Sequence, residues 1–399
     1  MGGGLLQLVT YGIQDLYLTG NPQITYYKVV YRRHTNFAME SVRQIMYGSN
    51  LPGGVINCTI PRSGDLLHKI YLYLEITEPD NANINYNNVL TMIDTVELIL
   101  SGNVIVKLTG EWISMWMWMY HDKDKFNLLT QLALTPTGTK GNLFIPIPFW
   151  FCRDIGMAFP IISMQYQKLE VRITYESSRN TDYELKKECT SAYMWCNYIY
   201  LDETERRLFS QTKHTYLIEQ LQYAREQLDT KVDYILDLPF NYPIKELFWI
   251  VKDPNPVYYD SDLNQISAGP LRQLYWNNGV QCRDQIESAI IYINHEERIQ
   301  RRSGEYFRVV QFYEHHSGGT QSQNHCIYMY SFALEPEKLE PTGTCNFSKI
   351  DSPQLGFTLQ TYTTQPVIHN TGTRHIVLYA VNYNILIIKD GYAAVSVEN

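Results

Sequence analysis

The sequence predicts an all-β protein made of two tandem strand-rich domains with few, short helices, and three observations carry that expectation. Apolar and polar residues alternate with a period of two in segments from end to end of the chain, the pattern of strands that bury one face. Tyrosine is in excess, at 32 residues, and its ring suits a pleated sheet while its hydroxyl reaches water or a partner. A polar helix near the middle separates two blocks that echo one another at a nearly constant spacing.

The elements follow in chain order. Leu5, Leu6, Leu8, Val9, Ile13 and Leu16 precede the chain-breaking signal Gly20-Asn21-Pro22, so residues 1–24 read as an N-terminal arm, either anchored to a neighbour or packed on its own barrel. Beyond it Thr25, Tyr27, Val29 and Tyr31 fall on one face and Tyr26, Lys28, Val30 and Arg32 on the other, which predicts a first strand opening a barrel or sandwich. Ile70, Leu72, Leu74 and Ile76 alternate with Tyr71, Tyr73 and Glu75, and Leu169, Val171, Ile173 and Tyr175 alternate with Glu170, Arg172 and Thr174. Val96 to Leu100 and Val104 to Leu108, joined by Ser101-Gly102-Asn103, form a hairpin signal. After Gly110, Trp112, Met115, Trp116 and Met119 stand at i, i+3, i+4 and i+7, a bulky helical stripe suited to a core or a subunit contact.

Asp202-Glu203-Thr204-Glu205 places an N-cap residue three before an acidic one and opens a polar connecting helix over 202–212. The expected domains are therefore 25–201 and 213–399. Further strands are expected at Val232–Leu238, Glu246–Val251, Ala289–Ile293, Phe307–Phe312, Ile327–Phe332 and His375–Ile388. Polar loops are expected at 80–88, 135–142, 253–270 and 316–325. Ile93 to Leu100 followed by Gly110-Glu111-Trp112 parallels Ile286 to Ile293 followed by Gly304-Glu305-Tyr306. The offsets, 193 and 194 residues, make a duplicated domain the simplest account.

Composition narrows the function. With 45% hydrophobic and 19% charged residues the chain is a folded globular protein. A formal net charge of −8 argues against wrapping nucleic acid with the whole surface, and no sequence-specific nucleic-acid binding is expected. Lys28, Arg32, Arg33 and Arg43 outnumber Asp15 and Glu40 locally and read as strand-edge or interface charges. Seven cysteines without a C-x-x-C pair are neither a disulfide framework nor a zinc site, and read as reduced thiols of a cytosolic setting. The start of the chain lacks the charged segment of a signal peptide, and no apolar run reaches a membrane span.

Catalytic chemistry finds no home. His295-Glu296-Glu297 has the spacing of a metal-binding facial triad that would need His369 or His375, but it follows a strand at a charged turn. Asp260-Ser261-Asp262 begins like a calcium loop and then lacks the required glycine and glutamate. His315 and His316 would point to opposite faces of a strand. No catalytic residue, metal ligand or cofactor is expected, and a metal-dependent cupin-like enzyme is the remote alternative.

Four groups of words resemble one family. They are Gly20-Asn21-Pro22 running to Tyr31-Arg32-Arg33; Phe149-Trp150-Phe151 within 145–153; Arg206 within 200–207; and Gly343-Thr344-Cys345-Asn346-Phe347 with Asn382-Tyr383-Asn384. In this order they resemble the double jelly-roll major capsid proteins of the nucleocytoplasmic large DNA viruses. The chain departs after Asn384 and is somewhat short, which suggests trimmed loops. The resemblance implies two tandem eight-stranded jelly-roll barrels and a subunit of a large icosahedral capsid in the virion, assembled in the host cytoplasm. It implies pseudo-hexagonal homotrimeric capsomers that tile the shell, with neighbouring capsomers and inner-face minor capsid proteins as partners, and host-surface glycans as a further surface role. A minor or vertex paralogue would share these words.

Overall fold

A computed structural model describes residues 3–10, 12–77, 90, 92–121, 124–126, 128, 140–176, 188–229, 231–252, 257–259, 265–267, 285–318, 327–360 and 374–396. The chain divides into an N-terminal segment, Met1–Asn36, and a body, Phe37–Asn399. In the segment, α1 (Gly3–Val9) and α2 (Ile13–Thr19) are short helices with no buried residue. Gly20 ends α2, its N–H donating to Leu16 O at 2.9 Å, and Asn21 turns with a left-handed φ of 49°.

The strand expected over 25–32 does not form. Residues 25–36 lie outside any strand, and Tyr26, Tyr27, Val29, Val30 and Tyr31 are at least 71% exposed. Alternation makes a strand only where a neighbouring strand takes the backbone bonds and a core takes one face. This segment supplies neither, and the first strand starts at Phe37.

The first half of the body holds β1 (Phe37–Ile45), β2 (Tyr47–Gly48), β3 (Val55–Ile60), β4 (Leu66–Thr77), β5 (Ile93–Leu100), β6 (Asn103–Thr109), β7 (Lys140–Pro146), β8 (Leu169–Tyr175) and β9 (Glu188–Leu201). They pair antiparallel in two sheets, β1-β9-β4-β7 and β2-β3-β8-β5-β6. On β4, Ile70, Leu72, Leu74 and Ile76 are buried while Tyr71, Tyr73 and Glu75 are only half-buried, as the alternation dictates. Ser101 and Gly102 turn the β5–β6 hairpin with φ of 46° and 93°, the positive pair that a two-residue turn between twisted strands favours. α3 (Gly110–Met119) follows β6.

The link carries α4 (Glu203–Gln211), whose N-cap Asp202 accepts from Glu205 N at 2.8 Å. The second half holds β10 (His214–Leu228), β11 (Asp233–Asp237), β12 (Pro243–Lys252), β13 (Val257–Tyr259), β14 (Gln265–Ser267), β15 (Ile286–Ile293), β16 (Glu296–Ser303), β17 (Tyr328–Ser331), β18 (Cys345–Asn346), β19 (Pro353–Leu359), β20 (Arg374–Lys389) and β21 (Tyr392–Val395). Its main sheets run β10-β20-β12-β17 and β11-β19-β15-β16. Leaving aside the short additions β2, β13, β14, β18 and β21, both halves interleave eight strands in the order 1-8-3-6 and 2-7-4-5. That is the double-sheet pattern of a jelly roll, so the chain is a double jelly roll.

Phe307–Phe312, expected as a strand, is helical. The helix runs from Gly304 to His315, with a wider π turn at Tyr306–Val310 leading into α5 (Gln311–His315). It connects β16 to β17, the place α3 holds between β6 and β7, and its buried residues Phe307, Arg308, Gln311 and Phe312 follow a helical period. The repeat seen in the sequence marks the same contact twice. A Cβ on Gly110 would fall 2.3 Å from the carbonyl of Ile93, and one on Gly304 would fall 2.1 Å from that of Ile286.

Of the expected polar loops, 80–88, 135–139, 253–256, 260–264, 268–270 and 319–325 lie outside the described residues, whereas 140–142 opens β7 and 257–259 and 265–267 pair as β13 and β14. One hydrophobic core fills the second barrel around Leu247, Trp249, Phe307, Tyr328 and Phe357. The other starts inside the first barrel, includes Trp112, Met115 and Met119 of α3, and continues to Phe248, Ile250, Met329, Val377 and Tyr379 of the second barrel.

Candidate functional site: the seam between the barrels

β12 shows why this core crosses between the barrels. Leu247, Trp249 and Val251 face the second barrel's interior, and Phe248 and Ile250 face the other way, into the core shared with α3. Eight successive residues of β12, Ile244 to Val251, are therefore buried. Trp112 meets Phe248 edge-on at 5.3 Å and Tyr379 at 5.6 Å, and Trp118 meets Phe312 edge-on at 5.4 Å. The stripe read from the sequence thus lies in the seam. The helix differs from a one-faced stripe, however, because Ile113, Met117 and Trp118 are buried too and Trp116 is the half-buried member. A helix held between two barrels needs apolar residues on nearly all sides.

Charged groups are buried in the same seam. Glu111 of α3 accepts from Lys252 Nζ at 2.5 Å and from the Tyr379 hydroxyl at 2.9 Å. At the other end of α3, the Tyr120 hydroxyl donates to Glu246 at 2.8 Å. Glu246 also lies 2.6 Å from His316 Nε2, whose Nδ1 is 3.2 Å from Glu337. Lys245 donates to Glu219 at 2.7 Å and to the Pro336 carbonyl at 2.9 Å. Arg153, from the first barrel, pairs with Glu219 and donates to the Glu337 carbonyl at 2.9 Å. Three cationic side chains thus face three carboxylates, with Lys245, Glu246 and His316 fully enclosed and Arg153, Glu219 and Glu337 partly so, an arrangement tolerable only when the charges balance and are hydrogen-bonded.

The electrostatics follow from that enclosure. Burial alone would push the His316 imidazole down, but the Glu246 carboxylate and then Glu337 outweigh it and raise it to about 9. Imidazolium is also the only form that donates from both ring nitrogens. Burial would raise Glu219, Glu246 and Glu337, yet Lys245 and Arg153 hold Glu219 below the usual carboxylate range, and His316 does so for Glu246 and Glu337. The cluster can clamp one barrel on the other, and its groups are fully engaged in doing so.

The family words converge on the seam only in part. Phe149 and Phe151 stack at 5.7 Å and Trp150 meets Phe151 edge-on at 5.1 Å, a buried knot just ahead of Arg153. Tyr383 is buried with Lys245 Nζ 5.7 Å from its ring centre, Asn382 accepts from Gln222 at 3.0 Å, and Asn384 donates to Gln220 at 2.9 Å. Gln220 in turn donates to the Ile105 carbonyl of the first barrel at 2.6 Å. Elsewhere, Gly20, Asn21, Pro22, Tyr31, Arg32 and Arg33 belong to the exposed N-terminal segment. Arg206 of α4 pairs with the buried Asp65 at 3.0 Å. Gly343, at φ 147°, would bring a Cβ to 2.7 Å from the Phe332 carbonyl. Thr344 leads into Cys345 and Asn346, which pair with Ile244 and Pro243, and Phe347 is buried.

His315 and His316 stand at a helix end and not on a strand. His295 turns between β15 and β16 with φ 66°, and His375 pairs in register with Lys252; His369 and Asp260 to Asp262 lie outside the described residues. Sequence reasoning missed Glu219, Lys245, Glu246, Glu337 and Tyr120. The available signal was Lys245-Glu246, two adjacent charges in an otherwise apolar strand.

Comparison with known proteins identifies what this architecture is. The family described as "Major capsid protein N-terminus" matches residues 25–202, and "Large eukaryotic DNA virus major capsid protein" matches 205–394. The chain is 35% identical to the major capsid protein of Pyramimonas orientalis virus over 430 residues, covering 100% of both. The chain belongs to this family. The major capsid protein of Paramecium bursaria Chlorella virus 1 is 34% identical over 440 residues, again covering 100% of both. The solved PBCV-1 virus capsid contains a chain that superposes with a TM-score of 0.81 at 28% identity, over 94% of this chain and 100% of that one. The Faustovirus major capsid protein shares the fold, with a TM-score of 0.68 at 9% identity, over 95% and 94%. As a major capsid protein the chain is a structural subunit of the virion shell.

Proposed function

We propose that this capsid subunit works as a homotrimer, a ring of six similar barrels whose near-hexagonal outline tiles an icosahedral face. The observation that supports this reading is the unlike pairing at the seam, where the first barrel offers a helix and the second offers the outer face of a sheet. A unit joined head to tail leaves one surface of each kind unused at its ends, and such heterologous contacts close into a ring when the rotation from one unit to the next divides the circle. The proposed division is an arm to residue 24, a first jelly roll over 25–201, a connection over 202–212 and a second jelly roll over 213–399. The strandless stretch 25–36 leads into the first barrel. The arm's exposed Leu5, Leu6, Leu8, Val9 and Ile13 suit docking to minor proteins at the inner face, and assembly takes place in the host cytoplasm. Light scattering of the purified chain in near-physiological salt should give three times the 46.6 kDa chain mass; a monomer at every concentration would sink the ring.

A further inference from the structure

Arg32-Arg33 belongs to neither barrel. The pair lies near the end of Met1–Asn36, the unit that precedes the body, within residues 29–36, which form neither helix, strand nor turn. Among the described residues, the backbone of 29–33 makes no hydrogen bond. Every residue from Asn21 to Asn36 is exposed, Tyr31 at 86%.

A stretch of this kind is what an endopeptidase binds. A protease cleft takes its substrate as an added strand, with main-chain hydrogen bonds for affinity and pockets at alternate side chains for specificity. It needs consecutive residues with free backbone and a preference for the extended form, and exposed segments supply them. Val29, Val30 and Tyr31 have that preference, and Pro22 is the one proline of the unit, well clear of the arginines. The alternation that finds no neighbouring strand in the chain is thus suited to finding one in a partner's cleft. Adjacent Lys or Arg pairs occur four times in the sequence. Arg206-Arg207 lies in α4 and Arg301-Arg302 in β16, where backbone bonds must open before a cleft can engage them. Lys186-Lys187 lies outside the described residues.

We propose that Arg32-Arg33 is a processing site for an endopeptidase whose acidic pockets receive two adjacent basic side chains. Hydrolysis breaks the Arg33–His34 amide: the hydroxyl of water goes to the Arg33 carbonyl carbon, leaving a carboxylate, and its proton goes to the nitrogen of His34. Only His34, Thr35 and Asn36 then precede Phe37, where β1 begins. α1 and α2 bury no residue, so the body loses none of its packing. The products are an apolar arm and an intact pair of barrels. This goes beyond the trimer reading and does not depend on it: the arm assigned to inner-face docking is detachable from its subunit.

The test treats the full chain with a serine endopeptidase specific for paired basic residues and reads the new N-termini by mass spectrometry. A product beginning at His34 should form at least about tenfold faster than cuts after Arg207 or Arg302, which wait on local opening, and it should keep the parent's thermal midpoint. Arg32→Gln/Arg33→Gln should slow that cut at least about tenfold, because the protease's acidic pockets are left unpaired. A cut after Arg33 no faster than those after Arg207 and Arg302, equal rates in variant and parent, or a product that melts below the parent would each overturn the site. In particles assembled in the host, subunits should begin at His34; particles in which every subunit still carries Met1–Arg33 would overturn processing there, however open the bond is in the purified chain.

Discussion

His316 is enclosed in the charge cluster of the seam, and its proton completes the charge balance between the barrels. Because enclosure by Glu246 and Glu337 raises it from the ordinary 6.5 to about 9, its contribution is fully present below pH 6.5 and is lost as pH climbs through 9. Glu219, Glu246 and Glu337 are depressed below 4.5, so their contribution is present above that value and fades as pH falls through their lowered range. The seam should therefore be firmest at about pH 4.5 to 6.5. Scanning calorimetry should show the thermal midpoint falling between pH 7 and 10 in the parent chain. His316→Gln should start lower, since it leaves Glu246 a buried carboxylate with less compensation, a loss of about 3–5 kcal/mol, and it should lack the alkaline fall. An equal alkaline fall in both chains would place its cause elsewhere.

At the scale of elements, Gly110 and Gly304 show how one packing solution is used twice. Each begins a helix at the point where it crosses the carbonyl of the first residue of a strand, Ile93 or Ile286, with no room for a methyl group. Gly110→Ala and Gly304→Ala should each destabilise the chain by about 1–3 kcal/mol, read as a drop in the urea midpoint; tolerance of either would show that the helix start can shift. This contact was half legible in the sequence. The two glycine words stood out at their common spacing, and the alternation on β4 and β8 and the cap at Asp202 were readable because each depends on local periodicity. The helix after Gly304 was not recognised, since Phe307, Val309 and Phe312 satisfy a strand reading almost as well as a helical one. The stretch 25–32 failed for the opposite reason. Its pattern is that of a strand, but a strand also requires a neighbour, and neighbours are not written in the pattern.

For the whole molecule, the family and the two-barrel plan were legible because four sets of words kept their order over nearly the full length. The seam was not, because it joins residues far apart in sequence, and the charges that build it look like surface charges until a second barrel encloses them. The same separation makes the first barrel incomplete alone. A chain ended after residue 212 should expose Trp112, Met115 and Met119 and bind a hydrophobic dye strongly, with loss of solubility; a soluble, dye-silent fragment would show that α3 can bury itself without the second barrel. This has a consequence in time. Glu111 and its partner Tyr379 are 268 residues apart, which at ordinary synthesis rates of about 5–20 residues per second separates their appearance by tens of seconds. From the completion of β9 at Leu201 until Tyr379 appears, each ribosome carries a finished barrel with an open greasy flank, while neighbouring ribosomes make the same flank in quantity. The stage most exposed to error in making this shell is therefore translation, before any capsomer exists.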